Sequence, residues 1–448
     1  MKLKALFIAT TLCLSSAFSL IGYAAEFTDE PEVGITLENF LSAAVEFSPS
    51  LQVAEEGLNI GSARKKAANG RLLPQVSGRA SVSDNRRRGA NGVLTTFDGE
   101  RFSVQLTQVL FNWQAFAARS QAYFIENQLE AEYYGALANL LTEVAEKYFN
   151  VLQAEDALAS IASELEAVTN QLNQIQSLYD RQLTQITNLY QAQAGVAAVE
   201  AEQLKLQTEL ALSQEALYSV SGITAGDLLS LREDATVPPL TNSINYWVNQ
   251  ANQNNHQIAA QEFAVKAANK RISERKGAYM PQVSLTAQIQ ESNLGFDNAF
   301  IDQTDISYLG LDVTIPIYAG GSNRAAVSEA ASQHRIAQSE LRIVELEASQ
   351  RVRSAYLQVS AAENFIAAAR KLVESTTLTS AAMQQGFNLG AVTSVDVLNA
   401  LRDQFRAQRD LQRARYDHVK FLVILKREAG LLSAEDMVEV GSWLESSN

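Results

Sequence analysis

Histidines and carboxylates are the side chains in this sequence that could do chemistry, and their spacing predicts neither a catalytic nor a metal site. The three histidines, His256, His334 and His418, stand alone, with no further ligand at metal-site spacing beside them. The sequence has no Ser/His/Asp signature, phosphate-binding glycine loop or dinucleotide fingerprint. We therefore expect no enzyme, no cofactor and no bound metal.

Carboxylates are plentiful, with 50 acidic residues among 448, as a solvated helix surface requires. Two of them occupy equivalent positions of an internal duplication. Glu155 and Glu363 lie 208 residues apart, and each interrupts a run of apolar residues at heptad spacing. They line a water-filled interior or lie on an ordinary solvated helix face, and the pattern leaves both interpretations open.

The duplication has an offset of 207 or 208 residues. The segment "LLPQVSGRASV" aligns with "YMPQVSLTAQI", which matches Pro74 with Pro281, and "YDRQLTQITNLYQA" from Tyr179 aligns with "FNLGAVTSVDVLNA" from Phe387. Each half has the same order of predicted elements: helix, proline, strand, loop, strand, long helix, turn, helix. A repeat of this length indicates duplication of a whole structural half rather than a solenoid.

Four segments alternate apolar and polar residues, as strands with one apolar and one polar face do. They are predicted near residues 75–84, 100–111, 282–291 and 307–317. Each is long enough to cross a bilayer at the tilt of a membrane barrel. A soluble antiparallel sheet is the alternative that the pattern leaves open. At the ends of descending strands, Phe111, Trp113 and Tyr318 predict either an interfacial aromatic belt or packing at a junction.

Four strands cannot close a barrel, and an open edge in lipid leaves unpaired backbone groups. The chain must therefore oligomerise if the strands enter a membrane. Two copies would supply eight strands, which enclose a barrel filled by its own side chains, whereas three copies supply twelve and leave a passage. We expect at least three copies.

Two long helices are predicted at 114–178 and 322–385, because apolar residues recur there at spacings of three and four without a proline. Such a helix is on the order of 100 Å long. Return helices are predicted at 188–220 and 394–429, and single short helices at 37–70 and 243–277. The first half spans 25–222 and the second 243–430, with a linker at 223–242 and a C-terminal segment at 431–448.

The N-terminus predicts export. Residues 1–24 combine Lys2 and Lys4 with an apolar stretch and small residues, the pattern of a cleaved signal peptide. Without those two lysines, 34 basic residues face 50 acidic ones, which makes nucleic-acid binding unfavourable.

Four segments together resemble the outer membrane efflux protein (TolC) family. They are "SPSLQVAEEGLNIGSARKKAANGRLLPQVS", "GAYMPQVSL", "LDVTIPIYAGGSNRAAV" and "FNLGAVTSVDVLNALRDQF". The resemblance implies a mainly α fold in which four strands per protomer form a trimeric, twelve-stranded barrel in outer-membrane lipid. A long periplasmic α-helical barrel with an equatorial belt continues it. The implied function is passive export of small toxic compounds or secreted proteins, through a periplasmic adaptor, from an inner-membrane pump.

A periplasmic adaptor or structural coiled-coil protein without a pore is the rival interpretation. The duplicated pair of amphipathic strands argues against it, because an adaptor would not need such strands in this order. The sequence does not distinguish small-molecule efflux from type I protein secretion, and it does not identify the adaptor or the pump.

The resemblance also implies site residues at the periplasmic tips of the helical hairpins. An acidic ring constricts the pore in the family, and Asp396 matches that position, although it could simply cap the helix that begins near Ser394. The aperture set is completed by Asn399, Phe387, Tyr179 and Asn188. Adaptor docking is expected at the tips, which comprise Leu183, Leu389, Gly390 and Ala391.

The sequence departs from the family pattern at three tip positions. Val392 stands where a basic residue closes the lock in the family, Asn188 replaces an acid, and Gln182 replaces a glycine. We therefore expect gating to depend on polar contacts of Phe387, Asn399 and Tyr179, with the familiar salt-bridge lock absent.

Overall fold

The protein is described by a computed structural model that covers residues 36–88, 92–232, 235, 237–294 and 300–446. The expected signal segment 1–24 lies outside the described residues. The first half consists of α1 (Leu37–Phe47), α2 (Pro49–Gly70), β1 (Gln75–Arg88), β2 (Leu94–Asn112), α3 (Trp113–Asp180) and α4 (Ile186–Ser221). After β3 (Leu229–Leu231), the second half consists of α5 (Ile244–Asn254), α6 (His256–Lys276), β4 (Gln282–Leu294), β5 (Phe300–Thr314), α7 (Ser322–Asn388) and α8 (Ser394–Glu428). The chain continues with α9 (Ala434–Gly441) and β6 (Leu444–Ser446).

The two long helices dominate the molecule. Helix α3 has 68 residues and α7 has 67, so each is on the order of 100 Å long. Helix α3 begins directly after β2, where Asn112 Oδ1 accepts a hydrogen bond from Ala115 N at 3.1 Å. The mainly helical fold with four long strands that the sequence predicts is confirmed.

The short helices differ from the prediction of one continuous helix in each half. Residues 37–70 form two helices, because Ser48 is extended ahead of Pro49, which disfavours a helical conformation in the residue before it. Residues 243–277 break at Asn255, whose side chain accepts hydrogen bonds from Gln257 N and Ile258 N and so starts a new helix. The breaks lie at equivalent places in the two halves, so both halves of the duplication change helix direction at the same point.

The four long strands form one antiparallel sheet in the order β1-β2-β4-β5. Its register places apolar residues opposite one another on one face, as in the pairs Val104 with Ile289 and Leu285 with Leu311. The opposite face carries polar pairs such as Gln105 with Gln288. Strand β5 ends at Thr314, so residues 315–317, which the sequence placed in the strand, lie beyond it.

The predicted linker and C-terminal segment contain secondary structure that the sequence did not reveal. Strands β3 and β6 pair antiparallel, and Trp443, Met437 and Leu228 belong to the cluster of buried residues that also includes α1 and the middle of α3. Tyr148 on α3 donates its hydroxyl to Leu229 O at 3.0 Å and accepts from Leu229 N at 3.1 Å. This tyrosine therefore satisfies backbone groups at the edge of β3 that no strand pairs among the residues the structure describes.

Helix α3 packs against five other helices, α1, α2, α4, α6 and α8. It packs against α2 and α6 towards the sheet and against α4 and α8 towards the far end, while α7 packs against α6 and α8. Within the part of the chain that the structure describes, no helix is both long and apolar enough to cross a membrane.

Candidate functional site

The end of the molecule farthest from the sheet consists of two helical hairpins, α3–α4 and α7–α8. Each hairpin turns through one residue with a left-handed backbone, Gln182 at φ 61° and Gly390 at φ 75°. In both turns the next amide bonds back to a helix carbonyl at 2.8 Å, from Leu183 to Leu178 and from Ala391 to Gly386. The two turns share one hydrogen-bond pattern, which is a Schellman-type helix end.

The α7–α8 tip is fixed by a capping box at the start of α8. Thr393 Oγ1 accepts from Asp396 N at 3.3 Å, and Asp396 Oδ2 accepts from Thr393 N at 3.0 Å. The Thr393 hydroxyl also donates to Asp396 Oδ2 at 2.7 Å. These hydrogen bonds lower the pKa of Asp396 below its ordinary value, and the bond from the side chain of Thr393 has the largest effect. Asp396 is therefore a member of the capping box of α8 and an exposed, ionised carboxylate at the same time.

The α3–α4 tip lacks this cap. Gln185, the residue before α4, makes no capping hydrogen bond through its side chain. Asn188, which is equivalent to Asp396 in the repeat, donates instead from Nδ2 to Thr184 Oγ1 at 2.9 Å. This tip carries no charge at the equivalent position.

Three further aperture residues are placed differently from the polar cluster that we expected. Phe387 and Tyr179 are partly buried and pack against an apolar cluster that includes Ile175 and Leu189. Asn399 is exposed on α8, one turn after Asp396. Phe387 and Tyr179 are therefore packing residues in the protomer, because the apolar seam of α3 and α4 extends almost to the tip.

The residues expected to dock an adaptor are at the surface. Leu183 is 68% exposed and Leu389 is 85% exposed, although both are apolar. Gly390 and Ala391 are also exposed. Apolar side chains that project from the end of a long rod mark a surface suited to contact with another protein.

The two hairpins are joined by polar contacts that sequence reasoning missed. Near the tips, Gln174 donates to Asn388 Oδ1 at 3.0 Å. Farther up, Arg409 on α8 donates to Glu164 on α3 at 2.7 Å, and Glu164 is only 2% exposed. The sequence did contain a signal, because Glu164 and Gln171 are polar residues seven positions apart beside the apolar seam. In the structure both side chains are buried.

The repeat-related acids Glu155 and Glu363 both lie against the segment between the halves. Burial raises the pKa of Glu155 to about 7, and Asp156 and Asp227 add to the effect. Glu363 Oε1 accepts from Leu240 N at 3.0 Å and lies 3.9 Å from His418 Nε2. Because burial lowers the pKa of His418, this contact is not an ion pair at neutral pH. A position facing tunnel water stays a prediction for both acids.

The sequence model of the outer membrane efflux protein family matches residues 40–223 and 247–430, which are the two halves of the duplication. The chain belongs to the outer membrane efflux protein family. It is 26% identical to the outer membrane protein TolC of Vibrio cholerae over 84% of this chain and 86% of that protein. It is 23% identical to the alkaline protease secretion protein AprF of Pseudomonas aeruginosa over 88% of this chain and 84% of that protein.

The fold of this efflux family member is also that of solved channels. A crystal structure of CusC superposes with a TM-score of 0.79 over 89% of this chain and 92% of CusC, at 20% identity. The chain is therefore an outer-membrane channel protein that extends into the periplasm, and its relatives are channels rather than enzymes.

Proposed function

We propose that this family member forms, as a homotrimer, the passive outer-membrane duct of a tripartite export system. The observation that carries this proposal is a four-stranded sheet with one apolar face, whose edge strands β1 and β5 are paired on one side only within the described residues. Unpaired edges are costly in lipid, and further copies of the same sheet satisfy them. Three copies supply twelve strands, enough to leave a passage.

Apolar surface on the outermost helices supports assembly of copies. Helices α4 and α7 pack against protein on one side, yet they expose large apolar side chains elsewhere along their length. These include Tyr190, Leu204 and Leu212 on α4 and Ile336, Ile343 and Leu357 on α7. Contact between α4 of one protomer and α7 of the next would cover both rows and close the helical wall.

Asp396 and Asn399 are the residues that we assign to the periplasmic aperture. Both are exposed on the first turns of α8, and three copies would bring three Asp396 carboxylates around one axis. Since the capping hydrogen bonds keep the pKa of Asp396 low, the ring would stay ionised and attract cations. Tyr179, Phe387 and Asn188 support the hairpin ends that carry this ring.

The exposed tip residues Leu183, Leu389, Gly390 and Ala391 are the proposed docking surface for a periplasmic adaptor, which would connect the duct to an inner-membrane pump. Their position at the extreme end of both hairpins supports this assignment, because it is the first part of the rod that a partner in the inner membrane reaches. Photo-crosslinking from Leu389 in intact cells would identify the partner. Capture of outer-membrane proteins alone would overturn the assignment.

Single-channel recording in planar bilayers tests the duct and its aperture together. We expect conducting trimers, and we expect Asp396→Asn to reduce cation preference while the amide oxygen retains the cap. Glu435→Gln removes another exposed first-turn carboxylate, from α9, and is the matched control, which we expect to behave as the unsubstituted protein does. A monomer without conductance would overturn the duct, and an unchanged Asp396→Asn record would remove Asp396 from the aperture.

The cargo is a separate question, because relatives act in both efflux and secretion. AprF is named for alkaline protease secretion, and BepC of Brucella suis for efflux. Deleting the gene and measuring drug susceptibility together with the secreted proteome distinguishes the two classes of substrate.

A further inference from the structure

A groove of about 350 Å³ lies between α2 and α3, close to where both helices meet the sheet. It is lined by two basic residues, two neutral polar residues and two aromatic rings. These are Lys65, Arg119, Asn69, Ser120, Phe116 and Tyr123. Both helices belong to one protomer, so a single copy of the chain supplies all six of these residues.

The groove opens on the apolar side of the sheet. Phe111 lies opposite Val283 in the register, and Val283 lies opposite Val313, so all three share the apolar face. The ring of Phe111 contacts the ring of Phe116 edge-on, with centroids 6.2 Å apart. Since Phe116 lines the groove, the groove continues the apolar face at its periplasmic end. With the sheet in a membrane, the headgroups of the periplasmic leaflet would lie at this end of the apolar face.

The helix ends next to the sheet carry an excess of positive charge, unlike the rest of the chain. Ten basic residues and one acidic residue, Glu274, lie in the helix ends next to the sheet. These ends are the last two turns of α2 and α6, with Arg71 after α2, and the first two turns of α3 and α7. The whole chain has 36 basic and 50 acidic residues. A local excess of positive charge next to a membrane surface attracts anionic lipid.

Inside the groove, the polar groups match a phosphate that carries hydroxyls. The ammonium of Lys65 is ion-paired with Glu126 and lies 5.5 Å from the centroid of the Tyr123 ring. Arg119 is exposed, and no ion pair to it is found among the described residues. The amide oxygen of Asn69 is buried without a hydrogen-bond partner in the described part of the chain. A buried acceptor without a donor is costly, so a ligand hydroxyl at this place would be favourable.

We propose that this groove binds the headgroup of an anionic glycerophospholipid of the periplasmic leaflet, of the phosphatidylglycerol class. The guanidinium of Arg119 pairs with the phosphate, a headgroup hydroxyl donates to Asn69, and the acyl chains run over Phe116 and Phe111 onto the apolar sheet face. The assignment depends on the sheet lying in a membrane. It does not depend on export, so loss of conductance and loss of lipid selectivity are independent results.

Tryptophan fluorescence gives a local readout of the groove. The chain has three tryptophans, of which Trp113, one turn before Phe116, is 43% exposed, whereas Trp247 and Trp443 are 8% and 7% exposed. Brominated lipid should therefore quench mainly Trp113. For the full-length protein in phosphatidylcholine vesicles, we expect dibromo-phosphatidylglycerol to associate about fivefold more strongly than dibromo-phosphatidylcholine, the effect of one basic side chain at an anionic surface. Dibromo-phosphatidylethanolamine should give no such preference.

Two substitutions separate a specific site from diffuse surface charge. Arg119→Gln removes the groove's exposed cation and should abolish the preference, and Asn69→Asp should do the same by placing a carboxylate beside the phosphate. Arg324→Gln removes an exposed cation from the start of α7, at the same level but outside the groove, and should leave the preference intact. An unchanged circular dichroism spectrum shows that each variant is folded. Equal quenching by all three lipids, or equal losses in Arg119→Gln and Arg324→Gln, would overturn the proposal.

Discussion

The two hairpin tips have the same backbone course, but one has a relaxed turn and a capped helix start, whereas the other has a strained turn and an uncapped helix start. At the α7–α8 tip, a glycine takes the left-handed position and a capping box fixes the first turn of α8. At the α3–α4 tip, Gln182 takes the left-handed position, and the start of α4 has no side-chain cap. A side chain with a Cβ atom costs about 1 kcal/mol or more there. The duplication therefore produced one relaxed tip with the carboxylate of Asp396 and one strained tip with the uncharged Asn188 at the equivalent position.

This difference indicates a division of labour between the hairpins. A capped helix start holds its first-turn residues in one geometry, which suits the exposed carboxylate of Asp396. An uncapped, strained turn opens more readily and adapts its shape to a partner. We expect the α7–α8 tip to set the aperture and the α3–α4 tip to adjust around it.

The largest expected effect concerns the ion pair that joins the two hairpins. Arg409→Ala leaves the carboxylate of Glu164 buried without a partner and should destabilise the protein by about 3–5 kcal/mol. Thermal unfolding of the detergent-solubilised protein measures this loss. Arg413→Ala, which removes an exposed arginine one turn along α8, is the control and should cost far less. Equal losses in both variants would show that the buried pair does not join the hairpins.

Exchanging the left-handed residues between the tips tests their difference directly. Gly390→Gln should destabilise the α7–α8 turn by about 1–2 kcal/mol, because a Cβ atom is disfavoured at φ 75°. Gln182→Gly should relieve the same strain in the other turn. Hydrogen exchange of the amides of Ala391 and Leu183 reports the two changes, with faster exchange in the first variant and slower exchange in the second. Changes of the same sign would contradict the comparison.

Removal of the cap has a smaller effect. Thr393→Ala deletes the side chain that accepts from Asp396 N and should loosen the start of α8 by about 1 kcal/mol. Thr393→Ser retains the hydroxyl and should restore protection in hydrogen exchange. Without the Thr393 hydroxyl, the pKa of Asp396 should also rise towards its ordinary value, which carboxylate NMR of a labelled sample measures. If both variants exchange alike, the capping box does not hold this tip.

An effect of similar size, confined to high pH, separates the repeat-related acids Glu155 and Glu363. The pKa of Glu155 is raised to about 7 in the folded protein from an ordinary 4.5, so the carboxylate is unfavourable there when ionised. Its cost is absent below the unfolded pKa, grows as the pH rises from 4.5 to 7, and is complete above that. Glu155→Gln should therefore stabilise the protein by about 1 kcal/mol at pH 8 and by almost nothing at pH 4.5, after allowance for solvent screening. Thermal unfolding at both pH values measures this, and Glu363→Gln, whose amide oxygen still accepts from Leu240 N, should not stabilise at either pH.

Patterns that depend on local periodicity were visible in the sequence, whereas contacts made across the fold were not. The ends of the long helices were predicted to within three residues of those of α3 and α7, because a proline-free heptad pattern specifies both type and extent. The break at Asn255 was missed, because an asparagine inside a helical pattern becomes a cap only when the fold bends there. The pairing of β3 with β6 joins residues more than two hundred positions apart, and strands of three residues give no periodic signal.

The candidate site shows the same limit. The positions of the tips and the exposure of Leu183, Leu389, Gly390 and Ala391 follow from the two turns. The packing of Phe387 and Tyr179 does not, because whether an aromatic residue near a helix end points to the core or to a pore depends on its neighbours. The aperture and docking roles stay predictions.

The length of α8 has a mechanical consequence. At 35 residues the helix is about 50 Å long, and its two ends are in different surroundings, one among buried residues and the other at an exposed tip. A tilt of about 10° at the buried end displaces the tip by about 9 Å, because a rigid helix transmits rotation along its whole length. Small rearrangements beside Glu155 and His418, where α8 is packed, would therefore produce larger displacements at the tip, where a partner protein reaches the channel.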